Sequence, residues 1–152
     1  MFFKSAKNTA ESVTRRLELE KLICGDDDNR RDDVVMHAHM FEPCGYSMNG
    51  LNGSKYVTVH VTPESHCSYA SFETNCTKTP HNVLMTEILR KLRPKRFTVV
   101  LHGKTSLSSS DPTKMKDVFV DKTDHYARRS HDVAILSSRS VCSVSHFSRT
   151  SC

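Results

Sequence analysis

Apolar and polar positions alternate most strictly between residues 56 and 61, where Tyr56, Thr58 and His60 interleave with Val57, Val59 and Val61. A period of two marks a half-buried strand, so the valines read as a core face and the polar residues as the opposite face. Strands are expected at about 35–48, 55–62 and 68–74. Between the first two lies Asn52-Gly53, the strongest short hairpin signal available. With that dipeptide as a two-residue loop, opposed residues have positions summing to 105. Ser47 then faces Thr58 with His60 diagonal to it, and Phe41 lies opposite Glu64. Phe41, Ser47, Thr58, His60 and Glu64 share one face under any odd sum, and an even sum destroys the arrangement.

The rest of the pattern is coarser. Ala10 to Ile23 predicts a loosely amphipathic helix stopped by Gly25, and the charged run beginning at Asp26 reads as a solvated linker. Pro80 opens a second helix at its first position, Leu84, Ile88, Leu89 and Leu92 form its apolar stripe, and Pro94 ends it. Phe97 to Leu101 predicts a buried strand and Gly103 to Lys114 a serine-rich loop. Val118 to Val120 and Val133 to Leu136 are the expected last strands. Everything after Ser137 reads as a Ser/Cys-rich tail. The expected divisions are a helical segment at 1–25, a linker at 26–34, the main domain at 35–137 and the tail at 138–152.

Composition narrows the function classes. A chain of 152 residues suits one domain with one core, and 37% hydrophobic residues with a mean hydropathy of -0.49 make that core thin. The net charge of +5 is spread along the chain, with no basic face interleaved with aromatics, so nucleic acid is not an expected partner. Six cysteines show no Cys-x-x-Cys spacing, and with no signal peptide they read as free thiols of a cytoplasmic protein. No stretch is long and apolar enough for a membrane span. His37 and His39 share a strand face, but spacing fixes no third ligand, so they read as an exposed edge and no metal site is expected. Taken alone, His60 is a hydrogen-bonded strand histidine, Phe41 a core residue and Glu64 a turn carboxylate.

Three strings change that reading. Phe41-Glu-Pro-Cys-Gly-Tyr-Ser-Met-Asn-Gly, His60-Val-Thr-Pro-Glu and Ser71-Phe-Glu-Thr-Asn stand in one order, and the chain resembles eukaryotic S-adenosylmethionine decarboxylase from about Met40 to Leu101. That pyruvoyl-dependent family makes the aminopropyl donor for spermidine and spermine. The resemblance implies an α+β fold with a mostly antiparallel sheet and helices on one face, one half of a four-layer αββα sandwich.

The resemblance also implies roles. Phe41 matches the aromatic that stacks on the substrate's adenine, and Glu64 the carboxylate that holds the ribose hydroxyls. Ser47 and His60 match the pair that assists self-cleavage of the proenzyme. In that reaction a backbone ester forms at a serine, and loss of its α-proton leaves the pyruvoyl cofactor. Glu73 matches an acidic residue of the putrescine site, although His102 stands where an aromatic is expected nearby. Cys44 belongs to the first string without the proton-donor role. No self-cleaving Glu-Ser-Ser segment is present, and Glu64-Ser65 falls at the ribose contact instead. The precursor serine of the pyruvoyl group is therefore expected outside this chain, which resembles the C-terminal half of the enzyme. Its expected partners are S-adenosylmethionine, possible activation by putrescine, and either the missing N-terminal half or an intact decarboxylase chain. The alternatives are a catalytically inactive regulatory paralogue or a non-functional fragment.

Overall fold

The structure is a computed structural model that describes residues 9–18, 34–76, 79–104, 122–123, 125–137 and 140–150. The chain divides into two compact units, 1–80 and 81–152, rather than the single core expected from its length.

The first unit holds helix α1 (Ala10–Leu17) and a four-stranded antiparallel sheet. Its strands run in spatial order β1 (Val35–Met40), β2 (Tyr46–Asn52), β3 (Lys55–Pro63) and β4 (Ser68–Thr74). Thr9 caps α1 by accepting the backbone N–H of Ser12 at 3.2 Å, which satisfies one donor that the first turn leaves unpaired. The helix closes at Leu17, where Glu18 adopts a left-handed conformation at φ 52°, and residues 19–23 of the expected span lie outside the described residues. Its buried face carries Val13 and Leu17, which join Tyr46, Met48, Val57, Val59 and Val61 in the core. The expected valine face thus packs against its own helix. Thr14 and Tyr46 bond across that interface at 2.7 Å, and both are buried. The Thr14 hydroxyl also donates to the Ala10 carbonyl, so Tyr46 is the donor of the pair.

The expected strand at 35–48 is in fact two strands. Residues 41–45 turn the chain back, with a cis Glu42-Pro43 bond and Gly45 at φ 141°, so β1 pairs with β2 as an antiparallel neighbour. The β2–β3 register also differs from expectation. Its loop is Gly53-Ser54 and Asn52 pairs with Lys55, so opposed positions sum to 107. The new sum is still odd, so Ser47, Thr58 and His60 keep their expected common face, while Phe41 and Glu64 fall outside the ladder.

The second unit begins with helix α2 (His81–Leu92), which starts one residue after Pro80. Leu84 and Leu89 are its buried residues, while Ile88 and Leu92 of the expected stripe are half-buried. Its sheet, also antiparallel, runs β5 (Arg96–Lys104), β8 (Ser140–Arg149), β7 (Tyr126–Ser137) and β6 (Lys122–Thr123). The expected tail is therefore largely β8, which pairs on both sides. Its inward positions are Val141, Ser143, Ser145 and Phe147, all at most 3% exposed. Two of the four are serines, which is why hydropathy hid the period. Ser145 is bonded to His131 Nδ1 at 2.7 Å, and Phe147 stacks on Phe97 at 4.6 Å. The strand expected at Phe97 to Leu101 is half-buried on one face only, with Val100 60% exposed on the other. Residues 118–120, and all but two of those in the expected 103–114 loop, lie outside the described residues, as do 19–33 of the first helix and linker. No described helix is long and apolar enough to cross a membrane.

Candidate active site

The face of the first sheet that turns away from α1 carries polar side chains in cross-strand rows. One row runs His39, Ser47, His60 and Ser71, each a direct partner of the next. The neighbouring row runs His37, Asn49, Thr58 and Glu73. Directly opposed side chains in an antiparallel ladder have Cβ atoms roughly 4.5–5.5 Å apart. Ser47 is thus closer to His60 than the expected register made it. His60 is exposed and Ser47 half-buried.

Core residues lock this pair. Tyr46 and Met48 flank Ser47, and Val59 and Val61 flank His60, all four at most 6% exposed. The rung between Tyr46 and Val61 is the last of the β2–β3 ladder, so Ser47 and His60 sit one rung from its open end. Phe41 and Glu64 lie beyond that end, one in the β1–β2 connection and one just after β3. They are not the ladder partners that a sum of 105 would have made them.

Phe41 is 51% exposed, which leaves part of its ring surface open. Its N–H donates to the Gly45 carbonyl at 3.0 Å. Gly45 is needed twice over, for its positive φ and because a Cβ there would stand 3.3 Å from Phe41 Cβ. Glu64 is exposed, its carboxylate 3.4 Å from His66 Nε2, and its carbonyl accepts a hydrogen bond from the Ser68 hydroxyl at 2.8 Å. Glu73 is exposed on β4 opposite Thr58, in the row next to Ser47 and His60. His37 and His39 are exposed on the outer strand β1, and among the described residues no group of three or more His, Cys, Asp or Glu is placed to hold a metal ion. His102 bonds to Ser140 at 2.6 Å in the second unit.

Sequence reasoning missed two neighbours of the site. His39 is the direct partner of Ser47, and its ring stands edge-on to Phe41 at 4.6 Å. His66 reaches Glu64. The first was legible only to a reading that turned the chain back at residues 41–45.

A family model described as adenosylmethionine decarboxylase matches residues 1–148, and the chain belongs to that family. It is 43% identical over 101 residues to the S-adenosylmethionine decarboxylase proenzyme of Dictyostelium discoideum, covering 62% of this chain and 27% of that relative. To the Drosophila melanogaster proenzyme it is 29% identical over 131 residues, covering 84% of this chain and 35% of the relative. The chain thus spans about a third or less of the length of these curated relatives. The crystal structure of the Trypanosoma brucei AdoMetDC-delta26 monomer superimposes with a TM-score of 0.74 at 24% identity, covering 99% of this chain and 59% of that one. That likeness establishes the α+β fold as the family's own.

Proposed function

We propose that this chain is the C-terminal portion of an S-adenosylmethionine decarboxylase, carrying the nucleoside seat and the residues that assist self-cleavage. The observation that carries the reading is the direct pairing of Ser47 with His60 on an open polar face, one rung from the end where Phe41 and Glu64 lie. Phe41 offers a ring face to an adenine. Glu64, an acceptor-only group when ionised, suits the two hydroxyls of a ribose. His60 offers an imidazole, a side chain suited to general-base work, and Ser47 opposite it is a donor and acceptor that steadies the reacting backbone. Those two side chains fit the task of removing the α-proton of a serine ester. The pyruvoyl group that such cleavage would yield would supply a carbonyl able to condense with the substrate amine, with loss of water, and so provide the electron sink that loss of the carboxylate requires. Glu73 offers a carboxylate to a diamine activator such as putrescine.

The test uses carboxyl-labelled S-adenosylmethionine. The chain alone should release no labelled carbon dioxide above a blank, because no Glu-Ser-Ser segment is present. Co-expressed with the N-terminal portion of the Dictyostelium discoideum relative, it should restore release. Release by the chain alone, or none from the pair, overturns the reading.

A further inference from the structure

His39 stands at a junction that the roles above leave unused. It lies on β1, an outer strand, and its side chain is exposed, so burial does not explain its place. Two residues further on is Phe41, which therefore leaves the strand on the same face. The two rings meet edge-on, with centroids 4.6 Å apart and planes at 75°. Across the ladder, His39 is also the partner of Ser47.

The Phe41 backbone is held by its bond to Gly45, and its Cβ rests against that glycine. Neither contact fixes the tilt of a ring that is 51% exposed. A free ring pays rotamer entropy when a nucleobase stacks on it, and a ring already held pays less. Edge-to-face contact is the geometry in which aromatic pairs hold each other.

We infer that His39 is a positioning residue of the nucleoside seat: its imidazole holds the Phe41 ring at the angle an adenine nucleoside stacks upon. The inference rests on the reading of Phe41 as that seat, and it adds a residue that acts through the ring without itself touching the nucleoside.

The experiment is nuclear magnetic resonance on the whole chain with adenosine as probe. In the wild type, the His39 ring protons should be displaced by the Phe41 ring current and return to ordinary positions in Phe41→Leu. Adenosine should shift the Phe41 ring signals. His39→Ala should weaken adenosine binding about two- to tenfold, the scale of one aromatic pair, and His39→Phe should restore it. His39→Thr, a residue suited to strands, repeats the loss should the alanine variant fold poorly. If Phe41→Leu abolishes binding while His39→Ala and His39→Thr bind like wild type, the inference fails and the seat stands. If Phe41→Leu binds as well as wild type, or adenosine shifts nothing in the wild type, the seat itself fails and the inference with it.

Discussion

Replacing Gly45 by alanine should damage both the stability of the first unit and the nucleoside seat, and the structure separates the two effects. At φ 141° the residue sits in backbone space that side chains rarely enter, a strain of about 1–3 kcal/mol for a non-glycine residue. The added Cβ would also meet Phe41 Cβ at 3.3 Å, Phe41 Cδ2 at 3.6 Å and the Val61 carbonyl oxygen at 3.6 Å. The first of these is tighter than ordinary van der Waals contact, so Phe41 must move by a few tenths of an ångström. Gly53 is the internal control. Its φ of 58° is also positive, but nothing lies within 4 Å of a Cβ built there. Gly53→Ala should therefore cost about 1–2 kcal/mol for the left-handed backbone alone and leave the seat intact. Amide exchange at Val57 and Val59, both in β3, reads the stability of the first unit separately from the second. Adenosine titration reads the seat. Gly45→Ala should lose stability and affinity together, whereas Gly53→Ala loses stability only. Equal adenosine affinity in the two variants would refute the claim that Gly45 places Phe41, and a stability loss below about 0.5 kcal/mol would refute the strain argument.

Three further outcomes are expected. Glu64→Gln should weaken nucleoside binding in an assembled enzyme about ten- to a hundredfold, since a hydrogen bond to a charged acceptor contributes roughly 1.5–3 kcal/mol; unchanged affinity would remove Glu64 from the site. In a full-length proenzyme that carries this half in place of its own, His60→Ala should stall processing at the ester, leaving a chain that hydroxylamine cleaves. Two bands on a denaturing gel without hydroxylamine would sink that role. Burial holds the Tyr46 phenol above its ordinary value. The folded state thus keeps that proton more tightly than the unfolded chain does. The associated stability is fully present below the unfolded pKa of about 10 and is lost as pH rises through the higher folded value. Tyr46→Phe should flatten part of the alkaline loss in Val57 and Val59 protection, and an unchanged alkaline slope would show that Tyr46 does not drive it.

How much of this was legible from the chain differs by element. The β3 alternation was unambiguous because Val57, Val59 and Val61 fill one face without exception. The break between β1 and β2 was not read, because Phe41 to Gly45 contains an aromatic and sits between apolar runs, although Pro43 and Gly45 stand where the backbone turns. β8 was hidden for a different reason. Ser143 and Ser145 are 3% exposed, and a small hydroxyl with a half-buried partner, as Ser145 has in His131, occupies a core position that hydropathy scores as solvent. At the site, parity placed Ser47 and His60 on one face from sequence, while their direct pairing depended on which two residues close the hairpin. Asn52-Gly53 was the stronger local signal, yet Gly53-Ser54 closes it. His39 went unseen because its role depends on the unexpected hairpin.

The ladder explains why a wrong turn left the facing right. A slip of one residue in β2 or β3 would send Tyr46 and Met48, or Val59 and Val61, to water and drive Ser47 or His60 into the core. Burial contributes roughly 1.5–3 kcal/mol per large apolar side chain, so losing two or more of these approaches the whole stability of a small domain. A slip of two keeps every apolar residue inside, and only the turn and the ladder ends oppose it. The polar face is therefore set by the hydrophobic energy of the opposite face. No contact among its own residues is required to maintain it. Ser47 and His60 are held at partner distance by Tyr46, Met48, Val59 and Val61. That leaves both free for chemistry, so substituting either should change reactivity at the site without moving the strands that carry it.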